Sequence, residues 1–493
     1  MARLVSAPIR PTTRNKVIGA GIAGVVILLI VLAAAGVFSS GSNNVGTVSA
    51  GAAPSTSTGS SSSPTAQRYP FGKPSNKADY VVPSPPGEAS LVPTIATRTT
   101  TRLYGANVFQ EAVSITQHIW PSANPLNAPN ERQAPLDRPR ALTLLTADDP
   151  LTAITATPLI HFPNDAPVLY VTKNGIPKVT LNEIKRLGVT GIARYNNVDA
   201  FLVGAAANSG VKKQLSSIGM KYVSVTAPSV PALANTVDKL YGSIQNPDTG
   251  VPGMGGGATM GDGSSNVVIG STSAYNYVLP ATHWVSHMAS GLLWVNPNSV
   301  PSATITALKR RNGQGNIYLF GGTQQISQNV AGQLAQYGRV VRVDNNDAVA
   351  FNSNPTDTAS DTAIGFSKMW DPMGMFGWKI TGAGHGFTLV NQNDWAGAVA
   401  SSPLSHLGFH APLLMTSDAN TLPPELDAYY KSVAPTFTET PADGPYNMSY
   451  VIGNWKQVTW NEQAHIDSIS EMGNRRLWST TTGSGYNSSE PTP

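Results

Sequence analysis

The sequence predicts an α/β protein built from three tandem repeats, each a short parallel sheet flanked by helices, behind an N-terminal apolar segment. Three observations carry that prediction. One strand-and-loop pattern recurs at reference positions 149, 273 and 394, spaced 124 and then 121 residues apart. Short continuous apolar runs alternate with helically spaced apolar positions, as parallel strands and their crossover helices require. The 493-residue chain has no cysteine, so packed cores and not disulfides or Cys-held metals must stabilise it. At about 150 residues per domain, three domains are the prior for this length.

The N-terminus sets the compartment. Residues 1–16 form a basic tail carrying Arg3, Arg10, Arg14 and Lys16. Residues 17–38 are 22 consecutive uncharged, mostly apolar residues. At about 1.5 Å per residue, a helix of that length crosses a ~30 Å hydrocarbon core. No Asp, Glu, Lys or Arg occurs from Val17 to Gln67. The positive-inside rule then places the tail in the cytoplasm and the remainder outside, as a single-pass membrane protein. A cleaved signal peptide is the competing reading, with Ala33, Ala34 and Ala35 as a cleavage region. The run is longer than the roughly 7–15 residues such a core takes. Gly19, Gly21 and Gly24 match a dinucleotide fingerprint, but no strand precedes them and no acidic residue follows at the required distance. They read instead as close-packing positions in a membrane helix. Residues 39–97 are a Ser/Gly/Pro-rich disordered tether, stiffened towards its end by Pro83, Pro85, Pro86 and Pro93. An exported chain that makes no use of disulfides suits a prokaryotic surface protein.

Each repeat then unfolds in the same order. Helical spacing precedes the first strand at Val108, Ala112, Ile115 and Ile119. Its counterparts are Leu233, Val237 and Leu240, then Ala359, Ala363, Phe366 and Trp370. The first strands are Thr143 onward, Val267 onward and Thr388 onward. A helix follows, ending near His161, His287 or His410. The second strands are Val168–Thr172, Leu292–Asn296 and Leu413–Ser417, apolar without alternation because both faces are buried. Helices opening at Pro177, Pro301 and Pro424 come next, since proline in the first turn forfeits no hydrogen bond. The third strands are Thr190–Ala193, Asn316–Phe320 and Ser449–Ile452. Gly321-Gly322 leads to a closing helix at Ile326, Val330 and Leu334. The first repeat has Arg194-Tyr195-Asn196-Asn197 there, and its closing helix falls at Val211, Leu215 and Ile218. The repeats are bounded at 98–227, 228–350 and 351–478, with a disordered tail at 479–493.

These residues resemble the type-2 cell wall-binding repeat family of Gram-positive surface proteins. The matching positions are Asp149 and Asp394 in the loop after the first strand, and Pro167, Leu169, Pro412 and Leu414 in the Ala-Pro-x-Leu strands. Gly321 and Gly322, Arg342 after the closing helix, and the Arg102-x-x-Gly105 opening complete the set. The second copy departs with Ser273 for the loop Asp, and the third with Asn454 for a Gly. The resemblance implies three modules around a pseudo-threefold axis. It also implies noncovalent attachment to an anionic wall polymer such as a teichoic acid or phosphorylated polysaccharide.

Chemistry beyond attachment has little support in the residues. His283/His287 and His406/His410 stand at i, i+4, a spacing that holds zinc. Trp284 and Leu407 occupy the position of the metalloprotease Glu, and no third ligand is apparent, so no metal is assigned. Asp148 and Asp149 are adjacent and point apart, which favours capping the following helix over paired acid catalysis. No Gly-x-Ser-x-Gly elbow occurs, and the glycine run from 253 to 263 lacks Gly-Lys-Ser/Thr. No enzyme, cofactor or nucleic-acid partner is therefore assigned; the formal charge of only +4 agrees with the last. An anionic polymer needs cations on an accessible face, with arginine favoured for phosphate. The candidates are Arg102, Arg194, Lys309, Arg310, Arg311 and Arg342, beside Lys185-Arg186 and Arg339. The competing functions are an extracellular solute-binding protein and a wall hydrolase.

Overall fold

The computed structural model describes residues 94–122, 137–253, 265–343, 358–406, 409–435 and 446–471. The segment 17–38, the tether up to residue 93, nearly all of the 253–263 glycine run and the tail lie outside the described residues. Among the described residues no helix is long and apolar enough to cross a membrane.

The chain enters through β1 (Ile95–Ala96), β2 (Thr100–Leu103) and α1 (Val108–Ile119). The first repeat follows as β3 (Leu142–Thr146), α2 (Pro150–Thr155), β4 (Val168–Val171), α3 (Lys178–Leu187), β5 (Ala200–Val203), α4 (Ser209–Ser217) and β6 (Tyr222–Val225). After α5 (Val230–Gln245) come β7 (Val267–Ser271), α6 (Leu279–His287), β8 (Gly291–Val295), α7 (Ser302–Lys309), β9 (Ile317–Phe320), α8 (Gln328–Leu334) and β10 (Val340–Val343). After α9 (Ala359–Lys368) come β11 (Gly386–Asn391), α10 (Trp395–Ser401), β12 (Leu413–Thr416), α11 (Pro424–Val433), β13 (Met448–Ile452) and α12 (Trp460–Ser470).

These strands make three sheets, ordered β4-β3-β5-β6, β10-β9-β7-β8 and β1-β2-β13-β11-β12. Every pairing is parallel except β1 on β2. The central strands are buried along their length, Leu142–Thr146 and Val267–Ser271 completely, because helices cover both faces. Helix starts follow local chemistry. Asn107, Asp149, Ser229, Ser327 and Thr459 each accept a backbone N–H of the first turn. Thr358 and Asp361 form a reciprocal capping box on α9.

Two elements depart from the sequence reading. The third strand of the first sheet is Ala200–Val203, not Thr190–Ala193; Ile192 makes only an isolated bridge to Val198. Asn196 and Asn197 adopt positive φ of 53° and 50°, so the chain turns back before the strand begins. The glycine that matches Gly321 is therefore Gly204, and all three of Gly204, Gly321 and Gly453 have positive φ of 60°, 116° and 98°. A side chain there would strain the turn that leaves each third strand. The second departure is β2. Read as the opening of the first repeat, it pairs in parallel with β13 and becomes the fourth strand of the third sheet, with Arg102 opposite Val451. The first two sheets each obtain a fourth strand from their own closing segment, whereas the third obtains it from the first of the described residues. This pairing closes an otherwise open edge of β13.

The repeats meet through the helices that follow their first strands. α10 packs on both α2 and α6, and the turn Thr157–Leu159 after α2 packs on α6. Hydrogen bonds tie the first repeat to each of the other two. Trp294 Nε1 on β8 donates to Thr155 Oγ1 at 2.7 Å. The equivalent Tyr170 on β4 donates to Ala396 O at 2.8 Å. One apolar core runs through all three repeats, and a second lies under the outer face of the third sheet around Phe387, Tyr430 and Ile466. Trp294→Phe keeps the ring and removes the donor. We expect it to lower stability by about 1–2 kcal/mol, read from the urea midpoint. No change would show that Thr155 finds another donor.

Candidate functional site

The residues expected to carry polymer binding divide by burial. Arg102, Arg311 and Arg342 are 0%, 1% and 2% exposed. Arg102 donates to Gln463 Oε1 at 2.7 Å and to Gly453 O at 2.7 Å. Arg342 donates to Gly321 O at 2.6 Å and Ile326 O at 2.9 Å. The two arginines hold the same register on the strand beside their sheet's third strand, and each binds the carbonyl of its sheet's glycine turn. Ser224 takes that position in the first sheet. Burial lowers the Arg102 guanidinium to about 10, and three protein acceptors rather than a solvent-exposed anion hold it. Arg311 is bound to buried Asp238, which Arg310 also reaches at 2.6 Å. Arg186 is buried on Glu183, and Arg339 is paired with Asp371. Arg194, Lys309 and Lys185 are exposed. Arg194 lies 5.3 Å from the Phe162 ring centroid. Charge runs at helix ends read the same in sequence whether the cation faces water or satisfies carbonyls underneath.

The motif residues build the sheets. Asp149 accepts Thr152 N at 3.1 Å and caps α2, while Asp148 turns away to Lys173. Asp394 accepts Gly397 N at 3.0 Å and caps α10. Pro167 and Pro412 each present a carbonyl to the first strand, on Thr143 N and Thr388 N, both at 2.9 Å. Leu169 and Leu414 are fully buried beside Leu144 and Leu389. Gly322 accepts the amides of Gln325 and Ile326.

The histidine pairs lie where the repeats meet. His283 is fully buried, its ring 2.7 Å from Ser405 Oγ and 3.0 Å from Ala411 O. His287 stands 4.4 Å from His410 between ring centroids, and His161 stands 5.2 Å from His406. His406 bonds Asp165 at 3.0 Å. Among the described residues no group of three or more His, Cys, Asp or Glu is placed to hold a metal ion.

A cleft opens at the carboxyl ends of β2, β11 and β13, where parallel sheets commonly present their ligand sites. It encloses about 140 Å³ and is lined by Asn107, Glu111, Asn393, Asp394, Trp395, Asn454 and Gln457, with Val108, Ala147 and Ala396. Glu111 comes from α1 and Asp394 from the third repeat. Burial pushes the Glu111 carboxyl well above its ordinary value, and the neighbouring Asp394, to which it is hydrogen-bonded, adds to the shift. Burial raises Asp394 as well. Burial thus disfavours the charged form of both carboxyls, and Gln457 Nε2 donates to Asp394 Oδ2 at 3.0 Å. Gly397 makes room for them: a Cβ there would lie 2.5 Å from Glu111 Oε1. Retaining or inverting glycosidases keep their carboxyls about 5 Å or more apart, which this contact pair does not. Sequence spacing gave no hint of Glu111, because its partner lies in another repeat.

No family model matches the chain, and no curated protein matches it. Among solved structures it is similar to Cwp6 from Clostridium difficile, at 16% identity and a TM-score of 0.54, over 79% of this chain and 51% of that one. It is also similar to Cwp8 from Clostridium difficile, at 14% identity and a TM-score of 0.51, over 76% of this chain and 52% of that one. The likeness is one of fold. The chain spans about half the length of both structures.

Proposed function

We propose that the chain is a membrane-tethered, non-enzymatic protein of the cell surface that holds an anionic wall polymer. The observation that carries the reading is the architecture of three helix-flanked parallel sheets, shared with the cell wall proteins Cwp6 and Cwp8. On this reading the sheets are turned about a common axis, and residues 17–38 anchor the chain in the membrane. The buried arginines serve the fold, so the polymer contact falls to exposed cations, Arg194, Lys309 and Lys185 foremost. An ammonium or guanidinium in water binds phosphate mainly through charge, and salt screens that attraction.

The test is retention of the purified exported part on isolated wall. Retention is expected to fall steeply between about 0.05 and about 0.5 M salt. Stripping anionic polymers from the wall should abolish it, and the triple change R194A, K309A and K185A should weaken it several-fold. Salt-insensitive retention, or clearing of wall material in a zymogram, would overturn the reading.

A further inference from the structure

Three aromatic rings stand together at the rim of the third sheet, next to the cleft. Tyr104 follows β2, Trp455 lies in the turn after β13, and Trp460 opens α12. Trp455 and Trp460 are 39% and 49% exposed. Their ring centroids are 5.7 Å apart with planes at 73°, and Tyr104 lies 6.0 Å from Trp455 at 43°. The Arg102 guanidinium sits 4.0 Å from the centroid of Trp455. This buried cation, fixed by Gln463 and Gly453, holds the indole in place from beneath. Large exposed rings that cluster mark an interaction surface, and here they form an angled platform.

We propose that Tyr104, Trp455 and Trp460 form a sugar-binding platform for uncharged pyranose rings, a site separate from the exposed cations. The chemistry is complementary on both counts. A pyranose presents a face of C–H bonds with partial positive charge, which the negative face of an indole attracts. Its edge carries hydroxyls that each donate and accept. Asn454 precedes Trp455 and lines the neighbouring cleft together with Asn107, Asn393 and Gln457. Neutral amides of this kind match hydroxyls. Asn107 and Asn454 use their Oδ1 atoms on backbone N–H groups, and their Nδ2 groups can donate to a hydroxyl, for which an entirely apolar occupant such as a lipid or a hydrophobic helix offers no acceptor. Burial pushes the two lining carboxyls, Glu111 and Asp394, towards their neutral forms, so the cleft presents less negative charge than its composition suggests. Lys456 is the one cation of the Gly453–Gln457 turn, and its role is separable by substitution.

The inference relies on the wall-binding reading only for the source of the glycan, and its test uses no wall. Soluble neutral hexaoses, a β-1,4-glucan, an α-1,6-mannan and a β-1,4-linked N-acetylglucosamine oligomer, are titrated against the exported part while tryptophan fluorescence is recorded. At least one is expected to bind, unchanged between about 0.05 and about 0.5 M salt. W455A and W460A should each weaken it about threefold to tenfold, the size of one aromatic stacking contact. K456A should leave it unchanged. The ring on Arg102 is that of Trp455, so W460A leaves that contact in place and keeps the test valid if W455A destabilises the fold. No binding by any of the three sugars, full binding by W460A, or loss of binding in K456A or high salt would overturn the proposal. Concentration-dependent self-association removed by W455A and W460A would overturn it too, as the mark of a second copy on the platform. Loss of sugar binding with wall retention intact rejects this site alone; the reverse rejects the cation-based reading alone.

Discussion

Replacing Arg311 with alanine is expected to destabilise the fold by about 3–5 kcal/mol, the usual consequence of stranding a buried charge. Asp238 on α5 and Arg311 after α7 are each 1% exposed. Two bonds join them, Nη2 to Oδ1 at 2.6 Å and Nη1 to Oδ2 at 3.0 Å. Arg311 also donates to Ala307 O at 2.9 Å and Ser265 O at 3.2 Å. Burial pushes the Asp238 carboxyl up, but Arg311, and then Arg310, pull it below its ordinary value. Without Arg311 the carboxylate keeps only Arg310, whose side chain is 22% exposed and whose attraction water weakens. Arg310→Ala should accordingly cost much less, about 1 kcal/mol. The measurement is the urea midpoint at neutral pH. Equal effects from the two substitutions would refute the assignment of Arg311 as the principal partner. Because the folded pKa of Asp238 is lowered, its contribution is present above about pH 4 and is lost on acidification through the folded value.

The second large effect is a steep loss of stability below about pH 6. Burial lowers His161 to about 3 and His283 to about 4, and it takes His287 well below its ordinary value. Unfolded histidines take up protons near pH 6.5, whereas these three remain neutral while folded. The unfolded chain therefore binds more protons below that pH, and stability falls as pH falls, by up to about 1.4 kcal/mol per pH unit for each histidine. The surroundings reinforce this. His161 faces His406, Asp165 and Tyr241, and His287 faces His410, Trp378 and Trp284. Among the described residues Asp165 is the acid that opposes the accumulation of positive charge at His161, and Arg140 and His406 already engage it. Glu111 acts in the opposite sense. Its folded pKa is raised, so its contribution is full below about pH 4.5 and declines as pH rises through the folded value. Thermal melts at stepped pH should show the acid slope, reduced by about one proton in His161→Phe. A flat profile between pH 6 and pH 4.5 would falsify the account.

How much was legible in the sequence varies by element. Val168–Val171, Gly291–Val295 and Leu413–Thr416 lie within a residue of their expected bounds, because a buried parallel strand is a local apolar run. Prolines 177, 301 and 423 mark helix starts for an equally local reason, a missing N–H. The first sheet's third strand was misplaced because Thr190–Ala193 has the right spacing, whereas the correct Ala200–Val203 lies beyond an asparagine turn. The burial of the arginines was not legible for a different reason. A guanidinium has the same sequence signature on a surface as beneath one, and only the carbonyls around Arg102 and Arg342 distinguish the cases.

The sequence alone determined the alternation of strand and helix, its threefold recurrence and the absence of disulfide support, all of which follow from short-range patterns of size, polarity and backbone freedom. Only the tertiary structure decided that β2 completes a sheet about 350 residues downstream. It alone brought Glu111 to Asp394, gathered five histidines where the repeats meet, and set Tyr104 beside Trp455 and Trp460. Each of those pairings joins residues far apart in sequence, and their chemistry arises from burial and proximity that no local pattern encodes.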